Sequence, residues 1–221
     1  MPILTIGQRL EAMDEFIAHW TALNAALAPS ELTLSGGYTL TGGFVADREA
    51  VRQSQAYVIA RENALSIARA VRDELRGALS GRFKQFRAAV HAFLPESNYL
   101  VSIPKKPLPA ASAWEWREAC TEVATLWERI DANVPPVAGF VPPLLLAGGY
   151  ARAQFAADAD ALQDAYENVA DRTTDLRLAK ALREEVYEGP RARMVQYRLA
   201  VLGTLEGGNA LLATLPAVTP D

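Results

Sequence analysis

Residues 70–75 read Ala-Val-Arg-Asp-Glu-Leu, and residues 181–186 read Ala-Leu-Arg-Glu-Glu-Val. These two stretches lie 111 positions apart inside a longer match: between 44–104 and 155–215, 19 of 61 ungapped positions are identical. An alanine-rich composition would give roughly four to six identities by accident. The sequence therefore predicts an internal duplication, with each copy centred on a long helix.

Hydrophobic residues recur at helical spacing in both halves of the chain. The predicted helical stretches are 6–28, 47–94, 113–133 and 151–205. Thr5 and Gln8 have the spacing of a capping box for the first stretch, and Asp47 is a suitable N-cap for the second. Because helices in proteins owe most of their stability to the packing of an apolar face, the stripes of the two copies should pack on each other.

Glycine and proline interrupt both copies at similar places. Ser80-Gly81 and Gly189-Pro190 predict that each long helix ends there and that a separate short helix follows. A Gly-Gly-Tyr loop, ending at Tyr38 in the first copy and at Tyr150 in the second, precedes each long helix. We expect a β-hairpin in the first copy only, since only residues 32–40 alternate in polarity.

These patterns predict an all-α protein: two tandem copies of a helical hairpin plus a short helix, packed as a pseudo-twofold helical bundle. The first repeat spans 1–104, a proline-rich linker spans 105–112, and the second repeat spans 113–221. The two repeats are expected to share one core in a single compact domain. Residues 1–111 carry a net charge of +2 and the rest a net charge of −6, which favours their packing together.

Composition excludes several classes of protein. Half of the 221 residues are hydrophobic and 22% are charged, as in a globular rather than a disordered chain. A net charge of −4 lacks the basic surface of a nucleic-acid binder. No run approaches the ~18 apolar residues of a membrane-spanning helix, and the first residues do not resemble a signal peptide. We therefore expect a cytoplasmic protein that binds neither nucleic acid nor membrane.

No motif in the sequence indicates a reaction. The single cysteine, Cys120, excludes an intrachain disulfide and a cysteine-based metal cluster, and its position on a helical face predicts burial. His19 and His91 lie in different elements, with His19 at the rim of an apolar face. The spacings of a di-metal bundle, a P-loop, a nucleophile elbow and a dinucleotide fingerprint are missing. We expect no catalytic residue, no metal ligand and no cofactor, and we favour a protein that is not an enzyme.

The unusual residues are arginines on the apolar faces of the long helices. Arg61 and Arg72 lie near the centre of the first stripe, and the second copy repeats them as Arg172 and Arg183. A guanidinium keeps its charge, so a buried one needs a carboxylate, carbonyl groups or a bound anion. We expect these arginines to snorkel or to form interhelical ion pairs between the copies. A binding site for a small anion and a surface for a partner protein are the alternatives.

A second repeated pattern, Arg-x-x-Gln-x-Arg, supplies secondary candidates for ligand binding. Its arginines flank an apolar stripe, where such side chains usually cover the rim. The pattern comprises Arg82, Gln85 and Arg87 in the first copy and Arg193, Gln196 and Arg198 in the second.

Two functional hypotheses follow from these observations. The favoured one is a non-enzymatic helical module with a structural or protein-interaction role, whose partner is another protein or a second copy of the chain. The alternative is a binding protein or enzyme that holds a small anionic ligand with the repeated arginines at the pseudo-twofold interface. A closed interior with satisfied arginines favours the first hypothesis, and a polar cavity lined by Arg61 and Arg172 favours the second.

Overall fold

A computed structural model describes residues 5–218, and in that range the chain forms helices and no β-sheet. The helices are α1 (Ile6–Leu27), α2 (Val45–Phe93), α3 (Ala113–Asp131), α4 (Arg152–Thr204) and α5 (Ala210–Ala213). A π-helical turn at Leu40–Phe44 precedes α2, and a 3-10 turn at Asn98–Ser102 follows it. The prediction of an all-α protein is confirmed.

The helices are distributed over two compact units that interleave along the sequence. Unit 1 takes the chain up to Asn63 and again from Thr174, and unit 2 is Ala64–Thr173. Unit 1 therefore contains α1, the first part of α2, the second part of α4 and α5, whereas unit 2 contains α3 and the other parts of α2 and α4. Each unit combines segments of both predicted repeats instead of following the predicted linker at 105–112.

Unit 1 has a core of buried aromatic rings. Phe16 and Trp20 of α1 pack with Phe44 and with Tyr197 of α4, and all four residues are at most 1% exposed. The ring centroids of Trp20 and Tyr197 are 4.6 Å apart, and those of Trp20 and Phe44 are 6.0 Å apart. The predicted capping box at Thr5 is present at the start of α1. Burying one large apolar side chain contributes about 1.5–3 kcal/mol, so these four rings contribute substantially to the stability of unit 1.

Unit 2 has its own aromatic core around Trp127 of α3. The Trp127 ring lies 5.1 Å from Phe86 of α2 and 6.0 Å from Phe155 of α4, measured between ring centroids. Its indole Nε1 donates a hydrogen bond to the carbonyl oxygen of Leu144 at 3.0 Å, so the ring is buried without leaving a polar group unpaired.

The predicted breaks in the long helices are wrong. α2 continues through Ser80 and Gly81 for 49 residues, and α4 contains Pro190 within its 53 residues. A glycine inside a helix costs about 1 kcal/mol. Around the expected break, Leu79 and Phe83 are buried in the core of unit 2, and this burial outweighs the local preference of the sequence. The expected short helices are therefore the ends of α2 and α4.

The two Gly-Gly-Tyr loops have the same backbone structure, so the prediction of a hairpin in one copy only is wrong. Each forms a tight turn closed by one isolated β-bridge, Leu34 with Tyr38 and Leu146 with Tyr150. The two glycines of each turn have φ angles of 73° to 77°, a left-handed conformation that glycine adopts without strain. Asp47 is not the N-cap of α2 but lies in its first turn.

Candidate functional site

Two of the four arginines predicted on the apolar faces, Arg61 and Arg183, lie in unit 1 and connect α2 with α4. Arg61 Nη1 lies 3.7 Å from Asp175 Oδ2, and Arg183 Nη1 donates to Gln55 Oε1 at 3.0 Å. The Arg61 side chain is 31% exposed and that of Asp175 is 41% exposed. Water therefore screens this ion pair, which contributes about 1 kcal/mol or less to stability.

The other two, Arg72 and Arg172, lie in unit 2 and bond to acceptors of their own helices. Arg72 donates to Asp73 Oδ1 from Nε at 3.0 Å and from Nη2 at 2.8 Å, and Arg172 Nε donates to Asn168 Oδ1 at 3.2 Å. Asp73 directly follows Arg72, so a search for partners three or four residues away misses it. Each of the four guanidinium groups thus has an acceptor within its own unit.

Polar contacts of this kind hold α2 and α4 together in unit 1, and a further ion pair joins Lys180 Nζ to Glu62 Oε1 at 3.0 Å. Large apolar side chains of the same part of α4 remain exposed, Leu178 by 59%, Leu182 by 44% and Val186 by 37%. A spacing of four residues places all three on one face of the helix. We call Leu178, Leu182 and Val186 the α4 apolar stripe.

The α4 apolar stripe has a counterpart in unit 2. At the 111-residue offset Leu178 matches Ile67 and Leu182 matches Val71, and Ile67 and Val71 lie on α2 and are also exposed. Single exposed hydrophobic residues are normal on protein surfaces, but contiguous apolar faces usually mark interaction sites. The recurrence at matched positions makes these exposed faces the main candidates for a functional surface.

The secondary candidates Arg193 and Gln196 belong to a polar cluster that holds the Gly-Gly-Tyr turn in unit 1. The Tyr38 hydroxyl donates to Asp47 Oδ2 at 2.5 Å, and the Arg193 guanidinium lies 4.4 Å from the centre of the Tyr38 ring. Arg193 Nη1 also donates to Gln196 Oε1 at 2.8 Å. Burial and then the hydrogen bond to Asp47 raise the pKa of Tyr38 well above its usual value, so the phenol stays protonated and keeps donating.

Unit 2 contains the same cluster, with Arg82 and Gln85 as the secondary candidates. The Tyr150 hydroxyl donates to Asp158 Oδ2 at 2.6 Å, and the Arg82 guanidinium lies 3.9 Å from the centre of the Tyr150 ring. Arg82 Nη1 donates to Gln85 Oε1 at 2.9 Å. Burial and then the hydrogen bond to Asp158 raise the pKa of Tyr150 above its usual value, as burial and Asp47 do for Tyr38. In both units these contacts fasten a turn to the start of a long helix.

Sequence reasoning missed both tyrosine–aspartate pairs. Asp47 and Asp158 match in the alignment of the two copies, but Tyr38 and Tyr150 are displaced by a single position, and this slip hides the pairing. The signal in the sequence that could have predicted these pairs is the order Gly-Gly-Tyr followed by Asp, which occurs twice. Of the remaining secondary candidates, Arg87 is exposed and Arg198 bonds the carbonyl oxygen of Pro216.

His19 was predicted at the rim of α1, but it is buried and only 7% exposed. Its Nε2 lies 2.8 Å from the carbonyl oxygen of Leu211, and its Nδ1 lies 2.6 Å from the Tyr197 hydroxyl. A carbonyl oxygen only accepts, so Nε2 carries a hydrogen and donates it, and in this tautomer Nδ1 accepts the hydroxyl hydrogen of Tyr197. His19 therefore fastens the segment around α5 to α1, which is a structural role.

Cys120 is buried, as its helical face predicted. It lines a groove of about 450 Å³ between α3 and the first part of α4 in unit 2. Burial raises the pKa of the Cys120 thiol to about 12. The thiol is therefore protonated at neutral pH and lacks the reactivity of a catalytic nucleophile, which requires the thiolate.

Within residues 5–218, no group of three or more histidine, cysteine, aspartate or glutamate side chains could hold a metal ion. Nor does that part of the chain contain a helix with the length and apolar character needed to cross a membrane. Comparison with known proteins gives no matching family model, no matching curated protein and no matching solved structure. The functional interpretation therefore depends on the geometry of this chain.

Proposed function

We propose that this protein is a non-enzymatic helical module with a structural or protein-interaction role, and that its first partner is a second copy of itself. The observation that carries the proposal is the α4 apolar stripe. In that part of unit 1, arginine, lysine, aspartate and glutamate side chains connect the two helices, while leucine and valine side chains lie on the outside. This distribution suits helices that bury their apolar faces against a further helix.

A second copy of the chain has the chemistry that this face requires. Helices bind in apolar grooves and on apolar faces through residues spaced three or four apart, and the stripe has that spacing. A twofold dimer places the same surface of both chains in contact, so a self-complementary apolar stripe is sufficient to form it. The matched residues Ile67 and Val71 supply a similar face on the other long helix.

Replacing Leu178 and Leu182 together by glutamine should weaken self-association by at least about tenfold, because each change removes apolar area from the contact. Glutamine has nearly the same helix propensity as leucine, so α4 should keep its structure. The measurement is sedimentation equilibrium over a range of protein concentrations, with far-UV circular dichroism to confirm that the helices are intact.

Replacing Val45 and Ile59 together by glutamine is the matched control, since both side chains are exposed in unit 1 but lie on α2, outside the stripe. This control should associate like the unmodified protein, whose mass at high concentration should approach that of two chains. A protein that stays a single chain at every concentration would disprove the proposal. So would a Leu178→Gln/Leu182→Gln variant that associates as tightly as the control.

We further propose that the module arose by internal duplication and that the copies are related by a pseudo-twofold axis. Matched positions with the same burial support the duplication, since the members of each pair are buried in their own units. These pairs include Phe44 with Phe155, Phe86 with Tyr197 and Val90 with Val201. The two tyrosine clusters also repeat the same contacts with matched residues.

In a crystal structure, the Cα atoms of 44–104 should superpose on those of 155–215 as equivalent units. The reason is that the matched residues make the same contacts, which requires the same backbone path. Finding Arg61 and Arg172 at non-equivalent places after superposition would show that the sequence match is an accident of composition.

The alternative function, an anion held by the repeated arginines, has less support. Each of the four guanidinium groups already has an acceptor for at least one of its nitrogens, although Arg61 Nε has none, and Arg61 and Arg172 belong to different units. A bound anion would have to compete with the carboxylates and amides that occupy these arginines.

A further inference from the structure

A pocket of about 350 Å³ in unit 2 lies between α2, the proline-rich linker and α3. Asp73, Arg76 and Ser80 of α2, Lys106 of the linker and Trp116 of α3 line it. Pro107 and Pro109 form an apolar part of its wall, together with the ring of Trp116. Its volume is in the range of pockets that bind small molecules.

Two residues that line this pocket each have a buried hydrogen-bond donor without an acceptor. In the described part of the chain, the buried side-chain nitrogen or oxygen atoms without a hydrogen-bond partner are Arg61 Nε, Arg76 Nε and Trp116 Nε1. The last two belong to residues that line this pocket, and Trp116 is only 3% exposed. Buried polar groups in proteins are nearly always paired, so two unpaired donors at one place indicate a ligand that accepts hydrogen bonds.

Unit 1 contains a similar pair of an arginine and an aromatic ring, in which the arginine has a close carboxylate partner. There Arg9 of α1 lies 4.5 Å from the centre of the Tyr187 ring, and its Nη1 bonds Glu184 Oε2 at 2.5 Å. At the 111-residue offset, Tyr187 falls opposite Arg76 and Glu184 opposite Asp73. In the first helix of each copy the offset is 107, which matches Trp20 to Trp127 and places Arg9 opposite Trp116. Unit 2 therefore has a similar cation and aromatic ring with their positions exchanged.

Because the arginine and the ring have exchanged positions, Arg76 of unit 2 has a weaker carboxylate contact than Arg9 of unit 1. Asp73 Oδ1 lies 3.3 Å from Arg76 Nη1, but the same oxygen accepts the two shorter bonds from Arg72. Arg76 also lies 5.9 Å from the centre of the Trp116 ring, further than Arg9 lies from Tyr187. Lys106 adds a second positive charge to the pocket, so that its two cations, Arg76 and Lys106, outnumber the single carboxylate of Asp73.

The geometry points to a binding site for a small organic carboxylate. Carboxylate oxygens are strong acceptors for guanidinium, ammonium and indole N–H donors, which the pocket supplies from Arg76, Lys106 and Trp116. The apolar wall of two prolines and an indole ring fits the hydrocarbon body of such a molecule. The linker that supplies Lys106 and both prolines occurs once in the chain, so this site belongs to unit 2 alone.

Benzoate is a suitable probe, because it combines a carboxylate with a compact apolar ring, and benzamide is its uncharged counterpart. We expect benzoate to shift the indole N–H signal of Trp116 in a saturable way, measured by ¹⁵N-correlated NMR on the full-length protein. Trp116→Phe identifies that signal and keeps most of the buried ring. Benzamide should bind at least about tenfold more weakly, since it forms no charge-assisted bonds.

Lys106→Gln should weaken benzoate binding by about tenfold, because it removes a cation without changing a buried residue. Lys105→Gln is the matched control: it removes the same charge from the neighbouring exposed residue, which does not line this pocket. Three results would each overturn the inference. These are the lack of a saturable Trp116 shift, equal affinity for benzamide, and equal loss of affinity in the Lys105 and Lys106 variants.

Discussion

Trp127→Ala should lower the free energy of unfolding by about 3–5 kcal/mol, the range observed when a large aromatic residue in a core is truncated. Trp127 is fully buried, and its ring contacts Phe86 and Phe155 from two other helices. The truncation also leaves the Leu144 carbonyl without the indole N–H that it accepts. Surrounding helices of 49 and 53 residues cannot collapse into the cavity easily, which favours a cost at the upper end of the range.

Trp114→Ala is a control with identical chemistry, since Trp114 lies on the same helix but is 66% exposed. It should change the free energy of unfolding by less than about 0.5 kcal/mol. Chemical denaturation followed by far-UV circular dichroism is the suitable measurement, because tryptophan fluorescence changes with the substitution itself. A cost of Trp127→Ala that is no larger than the cost of Trp114→Ala would contradict the core described for unit 2.

His19→Leu should destabilise the protein by about 1–3 kcal/mol, because it leaves the buried Tyr197 hydroxyl without its acceptor. Tyr197→Phe should also lower the free energy of unfolding, because it leaves His19 Nδ1 without a hydrogen-bond donor. The double variant should be more stable than the sum of the single effects by about 1–2 kcal/mol. The chain itself suggests this result, because the matched positions of unit 2 hold Leu126 and Phe86, both buried in its core.

A double-mutant cycle based on urea unfolding measures the coupling between His19 and Tyr197. Tyr38→Phe provides the control, since Tyr38 is a tyrosine of the same unit that bonds Asp47 and shares no hydrogen bond with His19. Its effect should add to that of His19→Leu within about 0.5 kcal/mol. Additive effects of His19→Leu and Tyr197→Phe would show that the hydrogen bond does not stabilise the fold.

The sequence by itself determined that the chain is helical and where α1 and α3 lie. Apolar residues at helical spacing predicted the positions of α1 and α3 closely, because a stripe of that period has one stable solution, a helix packed on its apolar face. The sequence match at an offset of 111 also identified Arg82, Gln85, Arg193 and Gln196 as members of a recurring pattern. Their role was not predictable, since it depends on Tyr150 and Tyr38, which come from loops outside the pattern.

Only the tertiary structure decided where the long helices end, which residues share a core and which donors lack acceptors. Ser80 and Gly81 favour a break locally, but burial of Leu79 and Phe83 stabilises the continuous helix by more than the glycine costs. His19 was assigned to a rim from its own helix alone, whereas Tyr197 and Leu211, which lie at the far end of the sequence, bury it. Periodicity describes one helix at a time, and burial is a property of what packs against that helix from distant parts of the chain.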